Sequence, residues 1–363
     1  MRRELPLALL HGVAFAADEA LCPAGTSPLR LAVPPEAWVC VRWDVEPGQP
    51  LEYLDHLLLQ FGFLHDCERM LFVAAALGTL RLPAGLLGLP PSPRRLQAQS
   101  RSAADAAPVF VDVGASIGPC AVRLASLGVP VLAIEPHPMS ARRLRAAAQL
   151  NGFSETNFSV LEAAVLPERP GDGAVVDLYG SAWDPLLSYT GLRSFNTTDA
   201  AGEHLARVPV LSLGQLLGGG APMLQAGCEG AEAGCQGRRR SIGLLKIDVE
   251  GAELEVLRSS GLSGALADVV DVVYIDVHVD SLEARGDSLL TLDMWLQSRG
   301  YWNVQWPGLV VAVHERVWEG DIWTLVPHLQ RHVSEPINEL KESMWASIRS
   351  EPYRSLKLHG VRV

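Results

Sequence analysis

The sequence lacks any run of about 18 or more uninterrupted apolar residues, the length a helix needs to cross a bilayer, so no spanning helix is expected. It also lacks a C-x-x-C pair. Cys22, Cys40, Cys67, Cys120, Cys228 and Cys235 are scattered, a spacing that supports no zinc site and chooses no compartment. Basic clusters are short, namely Arg142-Arg143 with Arg145 and Arg238-Arg239-Arg240, and 30 Lys and Arg face 41 Asp and Glu. A duplex-binding surface needs clustered basic residues on one face, so nucleic acid is not expected as a partner.

What is present is a globular composition. With 363 residues, 48% apolar and 20% charged, the chain has room for a large α/β domain and an accessory region. Arg2 and Arg3 precede the apolar stretch Leu5–Ala16, which closes on the A-x-A-like Ala14-Phe15-Ala16. Glu4, His11 and Gly12 interrupt that pattern. They favour a cytoplasmic chain over a secreted one cleaved near Ala16. Asn157-Phe158-Ser159 and Asn196-Thr197-Thr198 fit the N-glycosylation triplet, which matters only in a secreted chain.

Three regions follow from the patterning. Residues 1–105 form a helical accessory region and linker: Leu54, Leu57, Leu58, Phe61 and Leu64 share one helical face, Met70–Leu80 is nearly all apolar, and Pro90-Pro91-Ser92-Pro93 breaks the pattern. Residues 106–330 alternate short β-branched runs with amphipathic segments. Val109–Val113, Val131–Ile134, Phe158–Leu161, Ile242–Ile247 and Val269–Val277 read as buried parallel strands. Helices are expected at Pro119–Leu127 and Pro138–Leu150, each opened by proline, with Gly128 and Asn151-Gly152 as stops. The long interval before Ile242 holds strand-like Ala174–Tyr179 and Val208–Leu213, an inserted β element covering the carboxyl edge of the sheet, and a disordered Gly-rich loop, Gly218–Gly237. Trp302–Trp306 and Asp321–Val326 read as two more strands, and residues 331–363 as a helical tail. The fold class expected is a doubly wound, Rossmann-like α/β sheet.

Two segments carry chemistry. Val109–Gly118 is a strand running into a glycine-bearing turn and a helix, and glycine lets backbone approach a ligand with no Cβ in the way. Its two glycines, Gly114 and Gly118, are four apart and follow Asp112 at the strand end. This differs from the G-x-G-x-x-G turn of nicotinamide dehydrogenases. An acid there suits the cationic methyl donor S-adenosyl-L-methionine. Glu135, ending the next strand, is placed to accept hydrogen bonds from ribose hydroxyls. The second segment, Lys246-Ile247-Asp248-Val249-Glu250-Gly251-Ala252-Glu253, sets three carboxylates and a lysine where a buried strand gives way to a helix. Acids in a first helical turn also have an ordinary explanation in the helix dipole.

Together these segments resemble the FkbM-type methyltransferases, through Phe110–Gly118, Glu135-Pro136, Leu150-Asn151 and above all Leu245–Glu253, over roughly residues 105–330. The resemblance implies a class I methyltransferase fold, S-adenosyl-L-methionine as cofactor, and transfer to a hydroxyl of a sugar or other small metabolite. The cofactor set is then Asp112, Gly114, Ser116, Gly118, Glu135, Ala164 and Asp248. The family usually has Asn at Ser116, often Asp at Gly214, and commonly Glu at Asp276.

An alcohol is a poor nucleophile while protonated, so a general base is expected among Asp248, Glu250 and His278. His278 is preferred for its ordinary pKa near 6.5. The sequence requires no metal. Trp183, Tyr189, Arg193 and Phe195 of the insertion are candidates for the acceptor site, a small-molecule or glycan site, and the oligomeric state stays open. The competing functions are a catalytically idle binding or scaffold module and a nicotinamide-dependent oxidoreductase.

Overall fold

The computed structural model describes residues 21–31, 35–42, 58, 64–83, 106–167, 175–180, 203–225, 239–261, 265–318 and 320–338. Outside them lie the signal-like start, the Pro-rich stretch, Cys228 and Cys235, Asn196, the four candidate acceptor-site residues of the insertion, and most of the tail.

Seven strands build the central sheet: β3 (Val109–Val113), β4 (Val131–Ile134), β5 (Phe158–Leu161), β9 (Ile242–Ile247), β10 (Val272–Asp276), β11 (Tyr301–Trp306) and β12 (Leu309–His314). Their spatial order is β11-β12-β10-β9-β3-β4-β5. β10, β9, β3, β4 and β5 pair parallel, while β12 runs antiparallel between β10 and β11. The five expected parallel strands are therefore present. The helices α2 (Pro119–Ser126) and α3 (Pro138–Leu150) follow β3 and β4, each with proline at its start. After β5 the chain crosses to β9 on the other side of β3. The strand order thus reverses between β3 and β9, the position where doubly wound sheets leave a crevice at their carboxyl ends.

Alternation along the strands divides the core in two. On one face Phe110, Val131, Ala133, Leu244, Val272, Tyr274, Val311 and Val313 pack against α2, α3 and α8 (Ile322–Leu329). On the other, Val111, Val113, Leu132, Ile134, Leu245, Ile247, Val273 and Ile275 pack against α4 (Glu253–Arg258), α5 (Ala265–Val269) and α7 (Leu289–Gln297), with α6 (Val279–Ala284) contributing Leu282. The inserted element is a separate small sheet of β6 (Ala164–Val165), β7 (Val175–Gly180) and β8 (Glu203–Leu211) with its own apolar cluster.

The described part of the amino-terminal region holds both helix and strand. α1 (His65–Leu77) forms, ended by Gly78 in the left-handed conformation, but β1 (Ser27–Arg30) and β2 (Trp38–Val41) make an antiparallel pair. All three share the core of the first face. Gly243 lets this happen, since a Cβ there would stand 2.2 Å from the Thr79 carbonyl oxygen just past α1. The hairpin is fastened to α3: Asn151 holds both the N–H and the C=O of Trp38, at 2.8 and 2.7 Å, and Arg143 donates to the Cys40 carbonyl. Arg143 is thereby buried and Arg145 pairs with Glu162, so the Arg142–Arg145 cluster is not a basic surface.

Two local expectations fail. Asp321–Val326 is helical rather than a strand, because Asp321 accepts from the Thr324 N–H and caps α8, while the partner of β11 is Leu309–His314. The start of the Gly-rich segment is ordered: Leu216–Gly220 and Pro222–Leu224 are helical turns, with Leu216, Leu217, Met223 and Leu224 buried. Those apolar side chains outweigh the entropic cost of the glycines.

Candidate active site

The site begins with strand register. Asp112 on β3 and Lys246 on β9 are direct neighbours across the parallel pair and point to the same face. Both are buried, and Lys246 Nζ lies 3.2 Å from Asp112 Oδ1 and 3.1 Å from Asp248 Oδ2. The same ammonium donates to the Gly114 carbonyl at 3.3 Å. Lys246 therefore ties the glycine turn to the end of β9. Burial alone would favour its neutral amine, but Asp112 and Asp248 outweigh that and hold its pKa above the ordinary value. Burial dominates at Asp112 and raises its pKa despite the lysine.

Gly114 and Gly118 both have φ near +80°. At Gly114 the requirement is also steric, because a Cβ would sit 1.8 Å from the Asp248 carbonyl oxygen, whereas at Gly118 it would meet only the movable tip of Leu144. Gly114→Ala is therefore expected to weaken binding of S-adenosylhomocysteine by about tenfold or more, a loss of about 1.4 kcal/mol, and Gly118→Ala by less. Calorimetric titration checks the order, and equal losses would remove the steric argument. Ser116 is also left-handed, at φ 52°, a conformation uncommon outside glycine.

Glu135 takes a position the sequence did not reveal. It is fully buried, with one carboxylate oxygen accepting from the Ser116 N–H and the other from the His137 N–H, both at 2.7 Å. It braces the glycine turn. Gly114 lines a narrow apolar cleft with Val113, Ile134, Pro136, Ala163, Ala164, Val165, Leu166, Val249 and Ala252. Ala164 lines this cleft, carried there by the first strand of the insertion.

At the cleft edge the ends of β9 and β10 bring Asp248, Glu250 and His278 together. His278 Nδ1 is 3.1 Å from Glu250 Oε2, and its Nε2 is 3.6 Å from Asp248 Oδ1, an ion-pair distance beyond a full hydrogen bond. Asp248 nevertheless does most to raise the imidazole, against burial and with help from Glu250, to about 9. Both carboxylates thus favour the imidazolium, which counts against the base role that its ordinary pKa suggested. Burial raises Glu250 to about 7, with His278 opposing and Asp248, Glu253 and Asp276 adding. Burial likewise raises Asp276 to about 6, helped by Asp248 and Asp66. At Asp248 burial is outweighed by Lys246 and His278, and the carboxyl drops to about 2. Glu250 has φ 53°, a strained backbone for a non-glycine, and Glu253 accepts from the Gly251 N–H. The ligand atoms of Asp248, Glu250 and His278 lie within 4.8 Å of one another, close enough to share a small cation.

The strand order, the glycine turn at its reversal and the acidic end of β9 define a class I methyltransferase. The chain matches the methyltransferase FkbM domain over residues 112–302, more than half its length, and it belongs to that family. Its methyl donor is S-adenosyl-L-methionine. No curated protein matches the chain. Among solved structures it is similar to magnesium protoporphyrin IX methyltransferase (ChlM) from Synechocystis PCC 6803 with bound SAH, at 8% identity and a TM-score of 0.29, covering 75% of this chain and 90% of that one. So low a score leaves the assignment resting on the sheet order and the family match.

Sequence reasoning missed two contributions. The register places Lys246 opposite Asp112, which lets one ammonium serve Asp112, Asp248 and the Gly114 carbonyl. Asp66, on α1, was not considered at all, yet its charge reaches Asp276. No local pattern in residues 1–105 pointed there.

Proposed function

We propose that the protein transfers a methyl group to a hydroxyl oxygen of a sugar or other small metabolite, with Glu250 as general base. The observation that carries this reading is Glu250 itself: a partly buried carboxyl with a pKa pushed to about 7, 3.1 Å from His278 and next in the chain to Val249 of the apolar cleft. A base is most effective when its pKa lies near the working pH.

The cofactor's residues fit it. The apolar cleft suits a flat adenine, and the carboxylates at the edge suit a cation. When bound, S-adenosyl-L-methionine supplies an electrophilic methyl group on a sulfonium. Around it, Lys246 and Glu135 keep the glycine turn in place. Glu250 takes the proton of the acceptor hydroxyl, so that the oxygen carries the electron pair. The His278 imidazolium, anchored by Asp248, steadies the Glu250 carboxylate. Holding the acceptor in line supplies most of the remaining acceleration.

Two experiments test this. Titration with S-adenosyl-L-methionine, S-adenosylhomocysteine and NAD should give submicromolar to micromolar binding of the sulfur nucleotides alone. A labelled-methyl assay on a metabolite extract should yield a base-stable ether product. Asp248→Ala and His278→Ala should keep the fold and lose transfer, and full activity in both would remove the cluster from the mechanism.

A further inference from the structure

The four described cysteines come from separate stretches of chain, and all are paired: Cys22 with Cys40 and Cys67 with Cys120, at Cα separations of 5.7 and 4.8 Å, within the range a disulfide bridges. No described cysteine is left over. Each bridge lies where the amino-terminal region meets the methyltransferase core. Cys22–Cys40 closes the hairpin whose Cys40 carbonyl holds the buried Arg143. Cys67–Cys120 joins α1 to α2 beside a second link across the same seam, the buried Glu68–Arg123 ion pair at 2.8 Å. Bridges of this kind persist in oxidising compartments and are rare where glutathione and thioredoxin keep thiols reduced.

An independent feature agrees. Asn157, first residue of the Asn157-Phe158-Ser159 triplet, is exposed in the turn before β5, while Phe158 points inward and is buried. Its backbone is fixed, the N–H to Ser154 and the carbonyl to Val131, and its side chain has no partner among the described residues. β5 is the edge of the sheet, and Asn157 stands at the amino end of that parallel strand, opposite the cleft. A glycan there would leave the cofactor cleft open.

We propose that this chain is folded in an oxidising, secretory-type compartment, with Cys22–Cys40 and Cys67–Cys120 as structural disulfides and Asn157 as an N-linked glycan acceptor. This reverses the weighting that the broken apolar start, Leu5–Ala16, suggested. Each bridge forms by thiol–disulfide exchange: two thiols give up two protons and two electrons to a disulfide-carrying oxidoreductase, which leaves as its dithiol. At Asn157 the amide nitrogen attacks the anomeric carbon of an oligosaccharide on a polyisoprenyl diphosphate, forming the N–C bond and releasing the lipid diphosphate and a proton. The proposal is independent of the methyl acceptor.

The test uses the full chain expressed in eukaryotic cells. Peptide mapping without reductant should recover the two cross-linked pairs, and amidase release of glycans in heavy-oxygen water should leave a label at position 157 that Asn157→Gln removes. Dithiothreitol should lower the Tm by roughly 5–10 °C. Free, alkylatable Cys22, Cys40, Cys67 and Cys120 after denaturation would overturn the proposal. Intact bridges with position 157 unlabelled would overturn the glycan assignment.

Discussion

Lys246→Met should cost about 3–5 kcal/mol of stability and abolish methyl transfer. Removing one partner of a buried ion pair leaves the other charge uncompensated, and that penalty exceeds what the pair contributes. Asp112 is 1% exposed and pairs with the Lys246 ammonium, while Asp248 and the Gly114 carbonyl share that ammonium. The variant therefore loses core stability and the strut between the glycine turn and β9 in one step. Urea unfolding measures the first effect and titration with S-adenosylhomocysteine the second. Adding Asp112→Asn should restore part of the stability, because the stranded carboxylate is gone, but not the binding. A double variant no more stable than Lys246→Met would show that the pair is not coupled.

Glu250→Gln should lower kcat by about 10²–10⁴-fold, the usual worth of a general base, with little change in affinity for S-adenosyl-L-methionine. In the unmodified enzyme kcat should rise through about pH 7 as Glu250 loses its proton and fall through about pH 9 as His278 loses its own. The variant should lose the lower limb only. A profile that keeps its rise near pH 7 would transfer the base to another group, Asp276 first. The sign for stability is separate. His278 is raised above its unfolded value, so its contribution is complete below about pH 6.5 and disappears as pH rises through about 9. Thermal melts across that window should show a decline that His278→Gln removes.

The legible part of this protein was local and periodic. Five parallel strands, two helices with their proline starts and the two chemical segments could be read because each is set by neighbours in the chain: β-branched runs, a proline at a helix start, a glycine at a turn. The α8 error had the same origin. Ile322–Val326 is apolar enough for a strand, and only the Asp321 cap and the core against α1 made it helical.

The sequence by itself determined the fold class, the family and the cofactor, since a glycine turn after an acid-ended strand and the Lys246–Glu253 run are contiguous patterns. The tertiary structure decided the charge states and the packing of β1, β2 and α1 against the methyltransferase core. Whether His278 or Glu250 is neutral near pH 7 depends on burial and on carboxylates from separate strands. Whether Cys67 is a thiol or half of a bridge depends on Cys120, 53 residues away. Such distances across the chain carry no periodic signal, because desolvation and pairing arise only when the core closes.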